Sequence, residues 1–244
     1  MRHPRPLIVP TLLVLLTACP SATLLPDDQR NQVTKDFEGK ILFLKPATYV
    51  LPFFSVPESR LVSPLPPDSI HLLDDTKGEP ILPGEPEAIL KAGTRVRVEK
   101  LEFPTGFVVT KRPLYSPRTS PWLYLNVEGR PKGKATIVVL RPGIRSREEF
   151  VAAMDQLFHE EDPSAELSRI PPEFRAAIDE KRLVAGMDGE SVLLAWGRPE
   201  KIHQEFVDGV KVESWTWPLG KRSTTLRDGK LADAVPPLVK HGAP

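Results

Sequence analysis

This sequence predicts an α+β protein in three parts. A β-rich N-terminal domain spans residues 36–143, a helical connector spans 144–169, and a C-terminal unit of two helices followed by an antiparallel meander spans 170–236. Three observations carry the prediction. The chain has 28 prolines, too many for a helical bundle but suited to short strands, turns and extended linkers. Between residues 37 and 140 apolar residues recur in short runs, bounded by Gly or Pro and near the strand period of two. From residue 146 the spacing becomes helical, and beyond residue 200 two Asp-Gly pairs mark hairpins.

The chain opens on Arg2, His3 and Arg5, followed by a twelve-residue apolar segment at 7–18. Twelve helical residues span about 18 Å, short of the ~30 Å hydrocarbon core of a bilayer. A basic start and a short apolar run form the layout of a secretory signal peptide, here residues 1–18. Its end, Leu16-Thr17-Ala18-Cys19, resembles the bacterial lipobox. The resemblance implies cleavage before Cys19 and acylation of that cysteine. The chain holds one cysteine, so an internal disulfide is ruled out. Each buried methylene contributes about 0.8 kcal/mol, so two or three acyl chains would anchor the protein stably to a membrane. Pro20 and Ser21 follow the cysteine where an Asp would favour inner-membrane retention. The lipobox resemblance thus implies the outer membrane, facing the periplasm. Residues 19–35 mix small, polar and charged types without periodicity and read as a tether.

Lys and Arg number 33 against 32 Asp and Glu. Loss of residues 1–18 removes two arginines and no acid, leaving a charge of about −1. Nucleic-acid binding, which needs a basic surface to replace phosphate counterions, is not expected.

Within 36–143, "KILFLKPATYVLPFF" gives two apolar runs divided by Lys45-Pro46. The proline-rich residues 57–87 read as an irregular loop with at most one short strand around 70–73. In "GTRVRVEKLEF", Val96, Val98 and Leu101 alternate with charged residues; "GFVVTKRPLY", "PWLYLNVEG" and "KATIVVLRPG" follow as further strand candidates. Short strands joined by Pro/Gly turns suggest a small barrel or sandwich. The segments "ILKAGTRVRVEKLEFPTG", "SPWLYLNVEG" and "ATIVVL" resemble an SH3-like barrel of the bacterial envelope type.

In the connector, "SREEFVAAMDQLFHEED" offers Ser146 as N-cap and one apolar face at Phe150, Val151, Met154, Leu157 and Phe158. Pro163 ends that helix, and Pro171-Pro172 opens the next. Asp188 can cap a helix running to about Trp196, with Gly197 and Pro199 stopping it. Asp208-Gly209 and Asp228-Gly229 then divide about four alternating strands. Gly186-Met187, Asp188, Gly197-Arg198-Pro199, Glu213-Ser214-Trp215-Thr216-Trp217 and Asp228-Gly229-Lys230 resemble, in order and spacing, the BamE-like module of outer-membrane lipoproteins. Typical members of that family are little more than the module, whereas this chain adds a β-rich domain and a connector. Residues 237–244 read as a tail.

The five histidines, at 3, 71, 159, 203 and 241, lack zinc-site spacing, and "HEED" at 159–162 reads as a solvated helix end. The sequence has no nucleophile elbow, P-loop or Gly-rich dinucleotide turn. No metal, cofactor or enzymatic activity is therefore expected. Trp215 and Trp217 lie two apart and share a strand face, either packed on the helix around Leu193 and Leu194 or open as an aromatic binding surface. Trp122 and Tyr124 in the first domain have the same spacing, and the SH3-like resemblance implies that such aromatics can line a ligand groove. The expected role is a non-catalytic envelope lipoprotein whose interaction modules assemble or organise envelope proteins. The alternative is a peptidoglycan-binding lipoprotein.

Overall fold

In the computed structural model, which describes residues 23–130 and 133–233, strands fall into one sheet of eight and one of four. The mixed α+β class expected from the sequence is what is observed. The chain enters through a helix, α1 (Asp27–Phe37), so the supposed tether ends well before residue 35. Asp27 and Asp28 sit in its first turn, where negative charge meets the positive end of the helix dipole. Val33 and Phe37, one turn apart, are buried.

The large sheet contains β1 (Ile41–Leu44), β2 (Thr48–Phe53), β3 (Val56–Ser63), β4 (Ala88–Leu90), β5 (Arg95–Glu102), β6 (Trp122–Val127), β7 (Ala135–Val139) and β8 (Phe158–His159). Their order is β4-β2-β3-β7-β6-β5-β1-β8, with β3 and β7 parallel. Strand β3 corrects the expectation of a loop beginning at residue 57. Residues 70–73 form no strand, although a lone β-bridge joins Asp74 and Pro80. "GFVVTK" is also not a strand: it forms α2 (Gly106–Lys111), because the Thr105 hydroxyl accepts from the Val108 amide and caps a helical turn.

The connector does not stand apart from the first domain. Helix α3 (Arg147–Leu157) starts at Ser146, whose hydroxyl accepts from the Glu149 amide, and buries Phe150 and Met154. Phe158 and His159 then leave the helix and pair with Leu44 and Phe43 as β8. All eight strands contribute to one core, packed with Val33 and Phe37 of α1 and with Phe150 and Met154 of α3. The opposite face of the sheet buries Tyr49, Leu51, Phe53, Leu61, Trp122 and Ile137. With a parallel pair and a strand borrowed from the connector, the sheet is larger than a small self-contained barrel.

After α4 (Ser164–Leu167), the C-terminal unit consists of α5 (Pro172–Asp179), α6 (Gly189–Trp196) and a meander of β9 (Lys201–Val207), β10 (Val210–Thr216), β11 (Ser223–Arg227) and β12 (Lys230–Leu231). The Asp188 carboxylate accepts from the Ser191 amide at the start of α6. Asp208-Gly209 and Asp228-Gly229 have positive φ at both residues, the two-residue turn that matches strand twist. Gly197 stops α6 at φ +75°, and an added Cβ there would lie 3.0 Å from Pro64. Glycine is thus required both for its conformation and for close approach to the first domain.

Candidate functional site

Two carbonyls meet one amine where the domains join. Lys181, buried and left-handed (φ 54°), directs its Nζ to Ala47 O and Ala195 O, each at 2.6 Å, and lies 4.8 Å from the centre of the Tyr49 ring. Burial, with a smaller push from Arg222, holds its amine well below the ordinary lysine range. The Ala47 amide donates to Leu194 O at 2.7 Å, and Lys91 pairs with Asp179 at 3.0 Å. The domains expected as separate units therefore share hydrogen bonds and a core that includes Ala47 and Ala92.

Beside this junction runs a groove of about 720 Å³ between the outer face of α3, the β1–β2 corner, α6 and β9. Lys45 and Pro46 form one wall, with Lys45 donating through Nζ to Asp155 O and through its amide to Leu157 O, so it caps the end of α3. Leu193, Ile202 and Trp215 supply the apolar lining opposite. Leu193 and Ile202 are 37 % and 54 % exposed, and Phe206 continues the line along β9 at 70 %. His159, Glu190 and Leu194 also line an adjoining cleft of about 300 Å³. Burial, followed by the charge of Lys45, lowers the His159 pKa and favours the neutral imidazole.

Trp215 and Trp217 are both buried against α6 rather than displayed. The Trp217 ring meets Trp196 edge-on at 5.1 Å, and its Nε1 donates to Gly197 O at 3.2 Å. Trp215 lines the groove, but its Nε1 is buried without an acceptor among the described residues. In the first domain Trp122 is buried, donates to Pro117 O at 2.9 Å and carries the Arg112 guanidinium 3.8 Å above its ring. Arg112 also donates to Glu102, Arg118 O and Ser120 O. Tyr124 is half-buried beside Trp122. These four aromatics build cores, and only Trp215 borders the groove. Cys19 lies outside the described residues.

The sequence reading passed over Ile202 and Phe206. Their alternation in "KIHQEFV" showed a strand, but only the pairing order reveals that it is an edge. Among the described residues no cluster of His, Cys, Asp or Glu is placed to hold a metal, and no helix is long and apolar enough to cross a membrane. Compared with models of known families, with curated proteins and with solved structures, the chain matches none.

Proposed function

We propose that this chain is a non-catalytic lipoprotein of the bacterial envelope, anchored through Cys19 at the outer membrane, whose folded part docks envelope proteins facing the periplasm. The lipobox-like Leu16-Thr17-Ala18-Cys19 supports the anchor. The observation that carries the docking role is the exposed apolar line Leu193, Ile202 and Phe206 beside the groove. Exposed apolar side chains grouped along a cleft mark a contact surface more than scattered ones do. The helix–helix–meander succession at 172–231 supports a BamE-like module, and the antiparallel run β5–β6–β7 within the larger sheet is what supports the SH3-like part of the reading. Pro46, Pro199, Leu193, Ile202 and Trp215 favour an apolar protein segment over the polar sugars of a cell wall.

Two measurements test the proposal. Cys19→Ser should abolish incorporation of a clickable fatty acid and leave an uncleaved precursor, so equal labelling of both proteins would remove the anchor. Leu193→Glu, on α6 and outside β9, should reduce co-purification of envelope proteins from solubilised membranes by about tenfold or more. The side chain is exposed, so the melting temperature should stay close to wild type. Co-sedimentation with purified sacculi, unchanged by the substitution and without a co-purifying protein, would replace this reading with the cell-wall one.

A further inference from the structure

Strand β9 is an edge that nothing among the described residues covers: it pairs only with β10, and all seven of its residues are exposed. The direction of its free backbone groups follows from the hydrogen bonds on the far side of β10. Asp228 donates to Lys211 O and Trp217 donates to Arg222 O, so odd-numbered residues of β10 face β11 and even-numbered ones face β9. Val210, Val212 and Ser214 stand opposite Val207, Glu205 and His203, so the odd residues of β9 are spent on that ladder. The N–H and C=O groups of Ile202, Gln204 and Phe206 therefore point outward. Ile202 stands opposite Trp215, which puts the side chains of Ile202, Gln204 and Phe206 on the face that carries α6.

From this placement we infer that β9 is the contact between two copies of this chain, paired antiparallel about a two-fold axis through Gln204. The sequence KIHQEFV is self-complementary in that register. Ile202 of each copy falls opposite Phe206 of the other, so apolar meets apolar. On the reverse face His203 falls opposite Glu205, in a non-hydrogen-bonded position where side chains approach most closely. The outward groups of Ile202, Gln204 and Phe206 become the hydrogen-bonded positions of the new ladder. Moving the axis to His203 sets Ile202 against Gln204 and Phe206 against Glu200. Moving it to Glu205 sets two carboxylates face to face. Charge and hydropathy thus select one register. A two-fold axis normal to the sheet leaves both α6 helices on one side, so the grooves of the two copies open on the same face. Strand pairing of this length buries little area, so the dimer belongs among weak, concentration-dependent associations. The inference rests on the β9 edge and not on the anchor or the identity of any groove partner.

Sedimentation equilibrium of the full chain in density-matched detergent tests it. Wild type should pass from monomer to dimer as concentration rises. Gln204→Pro should remain monomeric with an unchanged melting temperature, because the amide it removes faces outward and makes no bond to β10. Glu205→Lys should weaken association about tenfold or more by setting Lys opposite His203, and adding His203→Glu should restore most of it. A wild type monomeric throughout, a Gln204→Pro variant that dimerises like wild type, or a double variant no tighter than Glu205→Lys would each overturn the inference.

Discussion

Trp217→Ala is expected to cost about 3–5 kcal/mol, the upper range for deleting a core side chain. Trp217 is the largest fully buried residue of the described chain, at 1 % exposure. It contacts Trp196 and Trp215 and closes the C-terminal core over Ile178, Leu183, Met187 and Leu226. Its truncation removes the area of an indole and leaves the Gly197 carbonyl without its donor. Since whole domains are stable by only about 5–15 kcal/mol, the variant should be largely unfolded at modest denaturant. Urea unfolding of the full chain checks this, and a loss below about 1 kcal/mol would sink the core assignment. The neighbouring Trp215 provides a contrast. Its N–H has no acceptor among the described residues, so Trp215→Phe forfeits no hydrogen bond seen there and should cost less than Trp217→Phe, which does.

Local signals in the sequence account for much of this fold. The caps at Ser146 and Asp188, the stop at Gly197 and both Asp-Gly turns act through the neighbouring backbone, so each is legible from adjacent residues. The misreadings occur where tertiary contacts decide. Helix α1 has no side-chain cap at Pro26 and only Val33 and Phe37 as buried residues, so its polar surface resembles a linker until Phe150 covers Phe37. In α2 the pair Val108-Val109 suggests a strand, yet no residue of that helix is buried, and the local cap at Thr105 prevails over β propensity. Strand β3 was hidden by Pro57 and by polar Glu58, Ser59 and Arg60; its parallel partner β7 lies more than seventy residues away. The groove was illegible for the same reason. Leu193 and Lys45 are ordinary residues in separate segments, and only the docking of α6 beside the β1–β2 corner makes them neighbours.

Lys181→Met should destabilise the protein by about 2 kcal/mol at neutral pH, and by more as pH rises. Its context, "DEKRL", is a charged run at the end of α5, yet Lys181 is 2 % exposed. A neutral amine has two N–H groups for the two carbonyls, Ala47 O and Ala195 O; a charged one directs its remaining proton toward the Tyr49 ring. Methionine fills the same volume but leaves both carbonyls without this donor, at about 1–3 kcal/mol for each that stays dry, offset by no longer burying an amine. The pH dependence separates this pin from simple packing. The folded pKa is depressed below 10.5. Between the two pKa values the unfolded chain binds the extra proton, so wild-type stability rises with pH. The contribution is complete above about 10.5 and is lost as pH falls through the folded value. Methionine has no such titration, so the difference between the two proteins should widen from neutral pH toward 10.5. Parallel urea series at stepped pH values measure that difference directly. A gap that stays flat or narrows with rising pH would mean that the amine stays charged in the folded protein and that burial does not depress its pKa.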